Sequence, residues 1–232
     1  MLRIFQKINY IIVFLFSNNL NEFKIYKTLN KSKNITIVDI GSNQGFFLKK
    51  INKVFKKNNK IFYSIEPNKQ LLEKQNFKNV ELKKFPIAIS EINGQINFYE
   101  KEISSHSSLF ETNFNQELGD IKVNKKNVPS KTIDKFINDE NIKTIDVLKI
   151  DIEGYESKII EDLHKATHFC YIKFIKIEVL FRDNLNNFDD NNWIKILTTL
   201  NLANFQLIGM NNVKYNKNKL FFFDAIFKNN NL

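Results

Sequence analysis

Two short stretches hold the residues best suited to chemistry. In ITIVDIGSNQGFF, Asp39 closes a β-branched run, Gly41 and Gly45 follow four residues apart, and aromatics and lysines at helical spacing come next. A buried strand that delivers its chain into a helix needs a tight turn there. Glycines permit positive φ and close backbone approach to a ligand, and the amides at the helix start attract the negative end of a cofactor. Glu66 ends a second apolar run in SIEPN, about twenty residues beyond the glycines, where a carboxylate can take the two hydroxyls of an adenosine ribose. A purely structural turn with an exposed glutamate is the competing reading. In IDVLKIDIEGYE, a third apolar run ends with Asp151, Glu153 and Glu156. Residues two apart on an extended segment share a face, and paired acids raise one another's pKa toward the range a general base needs. Capping of the next helix start competes with that role for each of them.

Other groups compete for the same duties. His106, in the SSHSSL segment, is a rival base because imidazole titrates near neutral pH, although a loop histidine with no catalytic duty reads equally well. His164 and His168 lie four apart on a predicted helix and imitate half a metal site, but no third ligand stands near and no metal is assigned. Glu178 ends the run FIKIEV and can face the same cleft as a substrate contact. Phe46, Tyr99, Phe110, Tyr155 and Phe181 could stack on a ligand, yet in a chain with 23 phenylalanines most aromatics must be core.

The elements that must position these residues alternate. Hydrophobic periodicity predicts strands over 35–40, 60–65 and 80–84 separated by helices over 44–55 and 68–75. Asn93-Gly94, between two alternating runs, predicts a hairpin, and 101–130 shows no clear periodicity, as a functional loop would. A short helix over 132–139, a strand over 144–150, a helix over 155–163 and a strand over 171–179 follow. A helix over 189–200 and a closing pair of strands over 204–209 and 219–227 complete the chain. This alternation implies an α/β, mainly parallel, doubly wound sheet with helices on both faces, and such sheets bind ligands beyond the carboxyl ends of their strands.

Composition narrows the classes. With 232 residues, 43% of them hydrophobic, the chain can bury one full core. Its excess of 35 basic over 25 acidic residues is almost wholly lysine; Arg3 and Arg182 are the only arginines, so the forks that read bases and phosphates are nearly absent and no nucleic-acid partner is expected. Cys170 stands alone, which excludes an internal disulfide. The apolar run over 8–16, INYIIVFLF, is too short to span a bilayer and has no cleavage site after it. Its spacing, with Arg3 and Lys7 beside it, permits an amphipathic helix on a membrane surface, or a helix packed on the domain. Residues 1–34 are therefore read as a helical extension and 35–232 as the main domain. The expected location is cytoplasmic, with the inner face of the membrane as the alternative.

The type of cofactor follows from the turn. Pyrophosphate sites use Gly-x-Gly-x-x-Gly, whereas the middle here is Ser42, Asn43 and Gln44. Asp-x-Gly-x-x-x-Gly resembles the S-adenosylmethionine (SAM) turn of the Rossmann-like class I methyltransferases. Together with VDIGSNQG, IEPN, the Ala88 segment, SSHSSL, VPSKTIDKFI and above all LKIDIEGYE, this resembles the FkbM family of methyltransferases over roughly 35–178. The resemblance implies a seven-stranded Rossmann-like fold with an antiparallel C-terminal strand, SAM as cofactor, and O-methylation of sugar hydroxyls in polysaccharides, glycolipids or glycosylated metabolites. It carries cofactor contacts onto Asp39, Gly41, Asn43, Gly45, Glu66 and Pro67, with Ser42, Asn68 and Ala88 in the same segments. Asp151 and Glu153 fall in its active-site cleft, with Glu156 and Glu178 as substrate contacts. Two other functions compete: an NAD(P)-dependent sugar oxidoreductase or epimerase, which lacks a well-placed Tyr-x-x-x-Lys here, and a degenerate binding module that uses the first 34 residues.

Overall fold

The computed structural model describes residues 22–101, 107–109, 123–165, 171–181, 193–216 and 219–231. His106, Phe110, His168 and the apolar run over 8–16 lie outside them, as does the side chain of His164. Helix α1 (Glu22–Tyr26) and a 3-10 turn (Lys27–Lys31) lead into strand β1 (Asn34–Ile40). Then come α2 (Phe46–Val54), β2 (Asn59–Ile65), α3 (Lys69–Glu73), β3 (Glu81–Phe85), β4 (Ala88–Ile89), β5 (Gly94–Lys101) and β6 (Val123–Lys131). The second half runs α4 (Ile133–Asp139), β7 (Ile145–Ile150), α5 (Glu156–Lys165), β8 (Ile172–Leu180), α6 (Trp193–Leu202), β9 (Phe205–Asn216) and β10 (Lys219–Asn229).

Seven strands form one sheet in the order β3-β2-β1-β7-β8-β10-β9. The pairs from β3 through β8 are parallel, and β10 runs antiparallel between β8 and β9. This is the doubly wound sheet with an antiparallel C-terminal strand expected from the sequence. Its two faces are written in alternating side chains. On β1, Ile35 and Ile37 pack with Tyr26 of α1 and with Leu48 and Ile51 of α2. Val38 and Ile40 face the other way, toward Phe136 of α4, Ile159 of α5 and Leu200 of α6. Strand order reverses between β1 and β7, so their carboxyl ends diverge into a crevice, the position where open α/β sheets take ligands.

The segment after β3 departs from expectation. No hairpin joins the runs on either side of Asn93-Gly94: β4 and β5 each pair with β6 instead, β4 parallel and β5 antiparallel, making a second sheet in the order β4-β6-β5. β6 lies in the stretch read as lacking periodicity. Because β4 reaches only Ser130 and Lys131, most of β6 is an edge, where lysines and Pro129 are tolerated and apolar alternation is not required.

α3 and α4 start where the sequence implied. Asn68 accepts from the Gln70 amide (3.0 Å) and Thr132 from the Lys135 amide (3.3 Å), each satisfying a donor that a helix start leaves free. The described part of the N-terminal extension packs on the core, with Tyr26 edge-on to Phe174. Among the described residues no helix is long and apolar enough to cross a membrane.

Phe136 tests the larger core. It is fully buried and meets Phe85 edge-on at 5.0 Å and Tyr63 at 6.2 Å. Phe136→Ala should cost about 3–5 kcal/mol of unfolding free energy, read from urea denaturation midpoints.

Candidate functional site

Three strand tips are stitched together at the crevice. The Gly41 and Ser42 amides both donate to the Ile65 carbonyl (3.0 Å each), and the Asp151 amide donates to the Ile40 carbonyl (3.1 Å). Gly41 has φ +74°, and a Cβ there would lie 1.8 Å from the Asp151 carbonyl oxygen. Gly45, also at φ +74°, would meet the Phe77 ring at 2.6 Å. Both glycines are thus required by close approach of the chain to itself, where the sequence suggested approach to a ligand. Asn43 takes positive φ as well, a conformation asparagine tolerates. A buried polar cluster holds the turn from beneath. Gln75 donates to the Asn43 carbonyl (2.7 Å) and to Ser42 Oγ (3.1 Å), and its side-chain carbonyl accepts from Ser64 Oγ (2.6 Å).

The turn borders a cavity of about 410 Å³ at the carboxyl ends of β1, β2, β7 and β8. Its wall includes Gly41, Ser42, Asn43, Glu66 and Pro67 from the first two strand tips and Asp151, Glu153 and Glu178 from β7, the segment after it and β8. The small sheet contributes Ala88 and Phe98, and the neighbouring segment Ser108 and Leu109. Ser108 bridges Tyr99 backbone to backbone and donates from Oγ to the Glu153 carbonyl (3.0 Å), closing one side of the site.

Glu66 has its two oxygens on two amides, Oε2 on Asn43 (3.1 Å) and Oε1 on Asn68 (2.9 Å). Burial pushes its carboxyl up to about 7 against the pull of those two hydrogen bonds. Elsewhere on the cavity wall, one oxygen from each of Asp151, Glu153 and Glu178 lies within 4.8 Å of the others. Glu178 Oε2 is buried with no hydrogen-bond partner among the described residues. Its carboxyl is pushed up to about 10, first by burial and then by the negative charges of Asp151, Glu153, Glu156 and Asp224.

Four residues expected at the site do not line the cavity. Asp39 is fully buried behind the turn and pairs with Lys149 Nζ at 3.2 Å, because strand alternation turns it toward the α2 face of the sheet. Gly45 starts α2, and Asn68 caps α3. Glu156 is fully buried and accepts from the amides of Ile152 (2.9 Å) and Gly154 (3.0 Å) with its own two oxygens. Glu156 therefore ties the loop ahead of α5 to that helix, of which it is the first residue. Of the aromatic candidates, Phe46 borders the cavity, while Tyr99 and Tyr155 are buried and Phe181 packs on Phe223. Phe47 and Phe98 line it without having been singled out.

Lys149 was also passed over. It lines the cavity, with Nζ 3.0 Å from Asp151 Oδ2, 3.2 Å from Asp39 Oδ1 and 3.5 Å from the Gly41 carbonyl. A lysine flanked by Leu148 and Ile150 in a fully buried strand was the available signal, because a charge is rarely buried without partners.

Residues 39–207, more than half of the chain, match the family model described as the methyltransferase FkbM domain. No curated protein matches the chain. Among solved structures, methyltransferase FkbM from Methylobacillus flagellatus KT is 16% identical with a TM-score of 0.49, covering 87% of this chain and 47% of that one. The chain therefore spans about half the length of that protein. A TehB-like SAM-dependent methyltransferase from Corynebacterium glutamicum is 10% identical with a TM-score of 0.40, covering 97% and 96% of the two chains. A 1,6-didemethyltoxoflavin-N1-methyltransferase from Burkholderia thailandensis, holding 1,6-didemethyltoxoflavin and S-adenosylhomocysteine, is 9% identical with a TM-score of 0.42, covering 91% and 79%.

The Glu178 carboxyl makes stability depend on pH. Its folded pKa, about 10, stands above its ordinary 4.5, so the folded protein keeps a proton that the unfolded chain gives up. That stability is complete below about 4.5 and is lost as pH rises toward 10. Glu178→Gln, which cannot ionise, should stabilise the protein relative to wild type at pH 8 and progressively less toward pH 5, measured by urea unfolding at each pH.

Proposed function

The chain belongs to the FkbM methyltransferase family, and on that premise we propose that it is a SAM-dependent O-methyltransferase whose acceptor is a sugar hydroxyl of a polysaccharide, glycolipid or glycosylated metabolite. The observation that carries the reading is that one cavity is bordered both by Glu66 with the glycine turn and by the carboxylates of Asp151, Glu153 and Glu178.

The residues present fit the cofactor. A cavity of about 410 Å³ falls within the range that small-molecule sites occupy. Glu66 is the one carboxylate at the end of β2, and its two oxygens suit a ribose diol; Ser42, Asn43 and Pro67 border the same space. When bound, SAM supplies an electrophilic methyl carbon on a sulfonium. Asp151 and Glu153 orient the acceptor hydroxyl and accept its proton as the new C–O bond forms, because a protonated sugar hydroxyl is a weak nucleophile. Glu178, holding its own proton at neutral pH, donates a hydrogen bond to a neighbouring oxygen of the acceptor. Ser108, Leu109 and Phe98 limit water at that side of the site.

We assign residues 1–21 to peripheral contact with the inner face of a membrane, which would bring a lipid-linked acceptor to the site. Supporting this, the solvent face of α2 carries exposed Phe46, Lys49, Lys50 and Lys53 in one stripe at helical spacing, and Phe46 borders the cavity. Cosedimentation with vesicles containing anionic lipid, abolished by deleting residues 1–21 or by high salt, is the expected result.

The cofactor assignment has a direct test. SAM or S-adenosylhomocysteine should raise the melting temperature, Glu66→Ala should weaken that shift, and NAD should leave it unchanged. Labelled methyl should pass from SAM to a cell-envelope fraction. Asp151→Asn should slow that transfer about 10²–10⁴-fold while binding of S-adenosylhomocysteine persists. A shift with NAD and none with SAM would sink the reading.

A further inference from the structure

We propose that Lys149 is a positioning residue for methyl transfer: its buried ammonium ties the Asp151 carboxylate to Asp39 and to the Gly41 carbonyl, so that acceptor group and cofactor turn share one anchor. This rests on the function proposed above and names a residue that neither the family match nor the sequence motifs assign.

The geometry is specific. Asp151 ends β7 with its backbone amide bonded to Ile40, which fixes its Cα against β1 but leaves the side chain free to rotate. The contact that selects one orientation is Lys149 Nζ, 3.0 Å from Oδ2. The same Nζ reaches Asp39 Oδ1 at 3.2 Å, and among the described residues neither oxygen of Asp39 has another hydrogen-bond partner. It also touches the Gly41 carbonyl, at the bend where a Cβ cannot fit against Asp151. Lys149 is itself buried beside the Phe47 ring. Burial alone would lower its pKa, but Asp151 and Asp39 more than reverse this and hold it above the usual lysine range. It therefore stays a cation and is no base. Its position on β7 is rigid, because Val147 and Leu148 on one side and Ile150 on the other are fully buried.

The three acids are then unequal. Among the described residues Glu178 Oε2 has no partner, whereas Asp151 has a fixed cation. With Oδ2 held by Lys149, the second oxygen of Asp151 is left at a defined place on the cavity wall for the acceptor hydroxyl. Displacement of such a group by about 1 Å can cost about 10²-fold in rate.

A plainer role must be separated from this one, namely neutralising Asp39. Lys149→Met alone leaves Asp39 as an unpaired buried carboxylate and is expected to unfold readily. The paired change Asp39→Asn with Lys149→Met removes both charges and should restore the melting temperature and the binding of S-adenosylhomocysteine. In a crystal of this double variant with S-adenosylhomocysteine, the Asp151 carboxylate should be turned from its wild-type position or split between orientations. Methyl transfer to the fraction that the wild type modifies should fall about 10²-fold. Adding Asp151→Asn should take it no lower than Asp151→Asn does alone, since the two residues act as one unit. An Asp151 side chain that keeps its place in the double variant would overturn the proposal, as would rate losses that multiply. The crystallographic comparison needs no acceptor, so it reads this proposal apart from any failure to find one.

Discussion

The whole site depends on how closely the ends of β1 and β7 can be pressed together. At the point where the sheet reverses its winding, two neighbouring strands must send their chains apart, and here they do so from direct contact. The Asp151 amide bonds the Ile40 carbonyl, and the Asp151 carbonyl occupies the space that a side chain at Gly41 would need. That contact sets the bend of the first turn. With Gly41 and Ser42 both hydrogen-bonded to Ile65, the same bend brings the Asn43 amide onto Glu66. The glycine turn, the acid closing β2 and the carboxylate closing β7 are thus one rigid body, and shifting any of the three would break a hydrogen bond belonging to another.

The electrostatics of this body are set by strand alternation. Asp39, Lys149, Lys176 and Asp224 are buried charged residues on β1, β7, β8 and β10. They project toward the α2 side, where Phe47 lies 6.0 Å from one ammonium and 5.6 Å from the other. Each lysine bridges two carboxylates: Lys149 joins Asp39 and Asp151, and Lys176 joins Asp224 (2.8 Å) and Glu22 (2.6 Å). The second bridge pins α1 to the sheet. Among the described residues no cation pairs with Glu178, and so the cheapest way to bury its carboxyl is to keep it protonated. One fold thereby holds a fixed carboxylate and a protonated carboxyl within 4.8 Å of each other.

Much of this was legible in the sequence because it rests on local rules. Runs of β-branched residues, the glycine bend and helix starts at Asn68 and Thr132 are properties of short windows, and they gave the seven-stranded sheet and the strand tips at Glu66, Asp151 and Glu178. What escaped depends on contacts between distant segments. The role of Asp39 turned on whether its side chain met the ligand or a lysine 110 residues away, and no window contains both. Gln75, at the end of a predicted helix, holds the turn from 32 residues downstream. The second sheet was missed because β6, an edge along most of its length, needs no apolar alternation to exist.

The two sheets differ in what can change without loss of the fold. The seven-stranded sheet and its helices bury the large clusters, and the glycine turn is bonded to its strands through backbone groups. The small sheet buries only Ala88, Phe98 and Val128 as a cluster of its own, and meets the main domain near the site through Ser108 on the Glu153 carbonyl and Tyr155 on Glu91. Side chains on that cover can vary at little cost to the main core, and Ala88, Ile89 and Phe98 among them border the cavity. A family that keeps one cofactor while changing acceptors would be expected to divide its fixed and variable parts along this line, because the frame cannot move without unfolding and the cover can.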